Sequence, residues 1–209
     1  MYKYIIFDFD MTLVDTSRGS AFCYEMAFKK AGAVFNRENL SLYMGEFLDA
    51  TYNRIEKPLI TYEEFEKTFY YNSHRFMAEQ SILFPEVKKV LKVLKIEKTL
   101  AIVTNKDEKC VLDILKYHGI STDLFNCIIC CDDVINKKPH PEALLKCMNI
   151  LKASKSECIY IGDNYKDVEF ANNAGISSLR VSRDEKYLFN KNEIRDLTEL
   201  IEGEHNVIK

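Results

Sequence analysis

No run of apolar residues approaches the roughly 20 that a bilayer span requires, and the opening MYKYIIFDFD lacks the length and cleavage site of a secretory signal. Basic charge is not in excess either. With 29 Lys and Arg against 32 Asp and Glu, the formal charge is −3, which leaves no electrostatic footprint for nucleic acid. Internal repeats and low-complexity tracts are missing, and 47% hydrophobic with 29% charged residues is not the composition of a disordered chain. Metal-binding cysteine pairs are missing as well. Among the seven cysteines, Cys127, Cys130 and Cys131 form a C-x-x-C-C string, but no second Cys or His pair is spaced to complete a zinc site. An alternating strand would also point Cys127 and Cys130 to opposite faces. Most cysteines lie in apolar runs (NCIICC, ECIYIG, LLKCMN) and read as reduced core residues. These absences predict a soluble cytoplasmic protein with neither nucleic acid nor membrane as partner. Its 209 residues suffice for one large domain, or for a core with a small insert.

What is present is a series of short apolar runs, at 4–7 (YIIF), 100–103 (LAIV), 127–130 (CIIC), 158–161 (CIYI) and 178–181 (SLRV). They read as strands. Helical spacing lies between the later ones: Val111, Ile114, Leu115 and His118, then Leu144, Cys147, Ile150 and Leu151. Strand-helix alternation with strands apolar nearly throughout predicts an α/β fold, a Rossmann-like parallel sheet covered by helices on both faces. Residues 15–80 break the alternation. There SAFCYEMAFKKAG and TYEEFEKTFYYNSHRFM are amphipathic helices, the first stopped by Gly32, the second opened by Thr61 with Glu64 three residues on, as in a capping box. The expected organisation is a core of 1–14 and 81–209, with a small all-helical cap at 15–80 inserted after the first strand; a helix opening at Pro85 returns the chain to the core.

Polar residues follow four of the five predicted strands: Asp8 and Asp10 after the first, Thr104 and Asn105 after the second, Lys138 after the third, Asp163 and Asp167 after the fourth. Carboxyl ends of parallel strands converge on one crevice, so these groups are expected to meet. Several carboxylates in one crevice repel one another unless a cation sits among them, and hard oxygen ligands favour Mg²⁺ over zinc or copper. An ammonium and a hydroxyl facing that ion are the donors expected around a phosphoryl group. The pattern points to phosphate chemistry.

These segments resemble, in order, the motifs of the haloacid dehalogenase-like superfamily, in its phosphatase branch with a small helical cap. DFDMTLVDT resembles D-x-D-G-T-L-x-D-[ST], VTN the second motif, KKPHPE the third, K-P-x-P, and GDNYKDVEFANNAG the fourth, G-D-x-x-x-D followed by A-x-x-A-G. RDLTEL is similar to the family's final helix-entry segment. Any one motif is weak; four in order at predicted strand ends are specific. Two positions depart from the pattern. Met11 stands where most relatives have Gly, and is expected at an ordinary negative φ. Lys137 precedes Lys138, and the K-P register favours Lys138 as the inward lysine.

The resemblance implies residue roles. Asp8 is the nucleophile that forms an aspartyl-phosphate. Mg²⁺ is held by the Asp8 carboxylate, the Asp10 backbone carbonyl and Asp163, with Asp167 orienting Lys138 or a metal-bound water. Asp10 is the general acid and then base, a second aspartate that the superfamily's dehalogenases lack, so phosphoryl transfer is favoured over carbon-halogen cleavage. Thr104 through its hydroxyl, Asn105 through its backbone N–H and Lys138 through its ammonium bind the phosphoryl oxygens. Asp15 and Thr16 open the cap linker and read either as helix caps or, as in relatives, as a hydroxyl near substrate. In the cap, YMGEFLDATYNR offers Gly45, Glu46 and Arg54 as substrate contacts. His74 and His118 receive no catalytic role, and Asp132 and Asp133 read as loop residues. The implied activity is Mg²⁺-dependent hydrolysis of a small phosphorylated metabolite, phosphoglycolate phosphatase-like, by a monomer or weak homodimer. The alternatives are a β-phosphoglucomutase-like phosphotransferase and a non-catalytic phospholigand-binding module. Retention of Asp8, Asp10 and Asp163 speaks against the latter.

Overall fold

The computed structural model describes residues 2–44, 46–183 and 192–201. The chain forms two compact units, one from the segment up to Val14 together with the chain from Leu83 onward, the other Asp15–Ile82. Among the described residues, no helix is long and apolar enough to cross a membrane.

Between Ser17 and Gln80 the regular elements are helical: α1 (Ser17–Lys30), a 3₁₀ turn at Arg37–Asn39, α2 (Leu40–Met44), α3 (Leu48–Tyr52) and α4 (Tyr62–Gln80). Helix α1 ends where Gly32 takes a φ of +75°, the left-handed conformation that glycine adopts without a Cβ clash. At the start of α4, the Thr61 side chain accepts from the Glu64 backbone N–H while the Glu64 carboxylate accepts from Thr61 N at 3.0 Å, the reciprocal box read from the sequence. Tyr24, Phe28, Tyr43 and Phe65 form the centre of this unit, with ring centroids 5.6–5.7 Å apart for the pairs Tyr24–Tyr43, Phe28–Tyr43 and Phe28–Phe65. Such pairs contribute about 0.5–1.5 kcal/mol each beyond the burial itself. The buried Tyr24 hydroxyl is satisfied by donating to Tyr43 O at 2.8 Å.

The other unit is built on strands β1 (Tyr4–Phe7), β4 (Thr99–Val103), β5 (Cys127–Ile129), β6 (Cys158–Gly162), β7 (Ser177–Val181) and β8 (Glu193–Ile194); β2 (Val14–Asp15) and β3 (Ile82–Leu83) are two-residue strands where the chain passes between units. The sheet order is β5-β4-β1-β6-β7-β8, and all five pairings are parallel. Ile6 sits opposite both Ala101 and Tyr160, so β1 is central and buried throughout. The five apolar runs are all strands. Strand β8 was not expected, because two residues carry no alternation; it is held by a buried ion pair of Glu193 with Arg180 at 2.9 Å. Cys127 and Cys147 lie in one core cluster with Leu144, Met148, Tyr160 and Phe170, and all seven cysteines are buried and unbridged.

Helices α5 (Val87–Leu94), α6 (Glu108–Tyr117), α7 (Glu142–Leu151) and α8 (Tyr165–Ala174) complete this unit. Helix α5 starts two residues after Pro85, with Glu86 as its N-terminal flank. In α7 the buried face is Ala143, Leu144, Cys147 and Met148, whereas Ile150, assigned to that face from spacing, is 52% exposed. Met148 lies one residue after Cys147 and four after Leu144, and so occupies the place the spacing gave to Ile150. The expected negative φ of Met11 is also corrected: Met11 has φ +57°. Its N–H donates to Val14 O at 2.7 Å, while Leu13 and Val14 return their N–H groups to Phe9 O at 2.9 and 3.2 Å. That closed turn requires a left-handed residue, at about 1–2 kcal/mol for a side chain bearing a Cβ. The backbone bonds impose the conformation on Met11.

Replacing Thr61 with alanine removes one side of the box at α4. The expected loss is about 1 kcal/mol of stability, read as a lower midpoint in chemical denaturation followed by circular dichroism. An unchanged midpoint would show that the cap does not stabilise the helical unit.

Candidate active site

Because β4, β1 and β6 are neighbours, the residues following their carboxyl ends are brought side by side. Asp8 continues β1 with its N–H donating to Ile161 O at 2.8 Å, and Thr104 continues β4 with its N–H donating to Ile129 O at 3.0 Å. Asp163 continues β6. Lys138 arrives on the connection from β5 to α7 and is fixed by Asn105, whose Oδ1 accepts from Lys138 N at 3.0 Å and whose Nδ2 donates to Lys138 O at 3.4 Å. Asp167 lies in the first turn of α8, its Oδ2 accepting from Asn164 N at 3.1 Å in a capping box. Nearby residues converge on one point. The Lys138 ammonium donates to Asp8 Oδ1 at 2.7 Å, to Asp167 Oδ1 at 3.0 Å and to the Tyr160 hydroxyl at 2.6 Å. Asp8, Asp163 and Asp167 each offer a carboxylate oxygen within 4.8 Å of the others.

Burial is the largest influence on Asp8 and pushes its carboxyl up to about 7; Lys138 opposes this and the Asp167 charge adds to it. Asp163 is pushed up to about 8, by burial first and then by the charges of Asp8 and Asp167. Burial works against a charged Lys138, but Asp167 and Asp8 outweigh it and keep the ammonium protonated. Fully ionised, three carboxylates against one ammonium would carry surplus negative charge, and two unit charges ~4 Å apart repel by about 4 kcal/mol at an effective dielectric near 20. An all-carboxylate oxygen set is what hard divalent cations take. The three groups fit such an ion, Asp8 and Asp163 most directly, since both oxygens of Asp167 already accept from Lys138 and Asn164.

Asp10 lies at the rim, with its side chain 28% exposed and its Oδ2 3.1 Å from the buried Lys106 ammonium. Burial opposes the Lys106 charge, yet Asp10 raises the proton affinity of that amine well above its ordinary value. Thr104 is buried, and its Oγ1 accepts from Lys106 N at 3.2 Å. Of the residues expected in the other unit, Thr16 is the buried N-terminal flank of α1 and makes no side-chain cap bond; Asp15 accepts from Ser17 N at 2.9 Å instead. Arg54 is exposed and doubly bonded to Glu46, at 2.6 and 3.1 Å. Gly45 lies outside the described residues. Asp132 and Asp133 are structural: Asp132 accepts from Glu108 N at the start of α6, and Asp133 pairs with Lys146.

Several residues at the site were not singled out from sequence. Tyr160 and Lys106 contact the ammonium and the second aspartate. Arg183 donates to Thr12 O at 2.9 Å and pairs with Glu86 at 2.6 Å, while the Thr12 hydroxyl donates to Asp163 at 3.4 Å. Gly162 leaves room for Asp167: a Cβ there would clash with the Asp167 carboxylate. One signal was available. Tyr160 and Gly162 are two apart in a strand and therefore share a face, so a polar tip and a missing side chain both mark the side on which Asp167 sits. Gly162→Ala is expected to destabilise the protein by about 1–3 kcal/mol, because the fixed carboxylate has to shift. Thermal unfolding checks this, and an unaltered melting temperature would mean that Asp167 is free to move.

Comparison with known proteins gives the same picture. Residues 5–181 match the family model described as haloacid dehalogenase-like hydrolase. A pyrophosphatase PpaX from Oceanobacillus iheyensis is 31% identical over 188 residues, covering 88% of this chain and 86% of the relative. A phosphoglycolate phosphatase from Vibrio vulnificus is 32% identical over 191 residues, covering 84% and 82%. A solved haloacid dehalogenase-like hydrolase from Bacteroides fragilis superposes with a TM-score of 0.80 at 31% identity, over 87% of this chain and 88% of that one. With the six-stranded parallel sheet and the four motif segments in place, the chain belongs to the haloacid dehalogenase-like hydrolase family, in the branch that holds these phosphatase relatives.

Proposed function

We propose that the protein is a Mg²⁺-dependent phosphatase that hydrolyses a small phosphomonoester or pyrophosphate through an aspartyl-phosphate on Asp8. The observation that carries this reading is the Lys138 ammonium 2.7 Å from Asp8, with the Asp163 carboxylate on the same crevice. Asp8 attacks phosphorus and displaces the leaving oxygen, which takes a proton from Asp10; Asp10 then draws a proton from the water that cleaves the acyl phosphate. Lys138 stabilises the charge that spreads over the phosphoryl oxygens, aided by the Thr104 hydroxyl and the Asn105 backbone N–H. Lys106 holds Asp10 at the rim. Mg²⁺, held by Asp8, Asp163 and the Asp10 backbone carbonyl, would supply charge neutralisation and orientation of the phosphoryl group. We assign substrate choice to the helical unit, with Thr16 and Arg54 as contacts. The relatives named pyrophosphatase and phosphoglycolate phosphatase support a small anionic substrate.

A panel of p-nitrophenyl phosphate, pyrophosphate, 2-phosphoglycolate and β-glucose 1-phosphate, assayed for released phosphate, tests the class. Asp8→Asn is expected to lower kcat by at least about a thousandfold, since it removes the nucleophile, with circular dichroism unchanged. Retained turnover in that variant would refute the covalent route. Glucose 6-phosphate formed faster than free phosphate would replace the hydrolase by a mutase.

The raised carboxyls also set a pH dependence. Folded-state values of about 7 and 8 lie above the ordinary 3.8, so protonated Asp8 and Asp163 stabilise the metal-free fold below pH 4, and this contribution is lost as pH rises through 7–8. A cation entering the site expels these protons, so its affinity runs the other way. Apparent Mg²⁺ affinity is expected to rise at least about tenfold between pH 6 and pH 8, with a larger Mg²⁺-induced shift of melting temperature at the higher pH. A pH-independent affinity would place the ion elsewhere.

A further inference from the structure

A lysine ammonium carries three protons, and Lys138 has an acceptor for each: Asp8, Asp167 and the Tyr160 hydroxyl. The phenol is the least mobile of the three. Tyr160 is fully buried in β6, its ring set edge-on against Phe170 at 5.3 Å and 84°, inside the core cluster that also holds Ile6, Val103 and Leu144. Its single proton goes to Val103 O at 2.9 Å; the alternative acceptor, Asp167 Oδ1, is farther at 3.4 Å. With the O–H committed to the last residue of β4, a lone pair of the phenol oxygen faces Lys138. Burial, and then the charges of Asp8, Asp167 and Asp163, keep the phenol neutral.

We propose that Tyr160 is a positioning residue for the phosphatase reaction. Together with Asp167 it forms a fixed seat for the Lys138 ammonium, so that the remaining N–H points at Asp8 and passes to a phosphoryl oxygen when the substrate is set against that carboxylate. Two acceptors on fixed elements define how a tetrahedral ammonium is rotated; one does not. The exchange costs Lys138 no net hydrogen bond, because the acceptor given up on Asp8 is replaced by the phosphoryl oxygen. Without the phenol oxygen, one proton of a buried ammonium has no partner. The head group then tilts toward the carboxylates and away from the developing charge.

This inference rests on the phosphatase reading, and two measurements on Tyr160→Phe separate their failures. The variant keeps the ring and its contact with Phe170. With p-nitrophenyl phosphate and saturating Mg²⁺, at a temperature where both proteins are fully folded, kcat is expected to fall by roughly tenfold to a hundredfold, less than the loss of a transition-state donor outright, and KM to change by less than about threefold, because the loss falls on the transition state. A purely structural tyrosine would lower the melting temperature and leave both constants unchanged, which would overturn the proposal. The second measurement needs no turnover: the ¹⁵N–¹H signal of the Lys138 ammonium, assigned through its loss in Lys138→Arg. Its exchange with water is expected to quicken in Tyr160→Phe. Unaltered exchange overturns the seat even if activity falls, and absence of phosphate release from the wild-type protein on the whole substrate panel overturns the phosphatase reading by itself.

Discussion

The crevice depends on one electrostatic constraint: Asp8 is buried at the end of the central strand, with two further carboxylates within 4.8 Å. Burial alone favours the protonated carboxyl, and the charges of Asp167 and Asp10 add to that preference while Lys138 opposes it. In the proposed reaction Asp8 has to be ionised to attack phosphorus. The protein's own answer is Lys138, whose ammonium touches Asp8 and Asp167 together. Once Asp8 and Asp163 ionise, one positive charge does not balance three negative ones, and that imbalance is what gives a divalent cation its place in the proposed mechanism.

The parallel sheet makes this arrangement possible. Placing β1 between β4 and β6 puts three strand ends at neighbouring positions, so Asp8 and Asp163, 155 positions apart in the chain, face the same point. The supporting contacts are all local to those ends. Asn105 clamps the backbone of Lys138, Asn164 and Asp167 share a capping box, and Arg183 reaches Thr12, which in turn reaches Asp163. These ties fix the Lys138 backbone, the Asp167 carboxylate and the turn that carries Thr12. The closed turn at Met11 belongs to the same set, holding the chain between Asp10 and Val14 in a left-handed bend that a side chain tolerates only under restraint.

Much of this was legible in the sequence because it follows from periodicity and order. Apolar runs gave five of the six strands of the sheet, Thr61 and Glu64 gave the box at α4, and the polar residues after four of those strands included Asp8, Lys138, Asp163 and Asp167, which the fold brings together. What the sequence could not show depends on tertiary contact. Strand β8 is too short to carry a pattern; it is joined to β7 by the backbone bonds of Arg180 and Ser182, with the Arg180–Glu193 pair beside them. Met11 was expected at a negative φ because it carries a side chain, yet the Gly that most relatives have there was the signal of a left-handed position, which the backbone bonds across the turn impose. Tyr160 was hidden inside CIYIG, where a single phenol among aliphatic residues reads as core; the fold alone sets its hydroxyl between Val103 O and the Lys138 ammonium. Lys106, next to Thr104 and Asn105, could have been noticed, but nothing in the spacing directs its side chain to Asp10.

The central claim is that Asp8 itself becomes phosphorylated. Its most direct test is rapid acid quenching of the enzyme during turnover of ³²P-labelled substrate, followed by peptide mapping. The account predicts label on the peptide that contains Asp8, released by hydroxylamine as expected of an acyl phosphate. Free phosphate produced with no label on that peptide, or label on another residue, would contradict it.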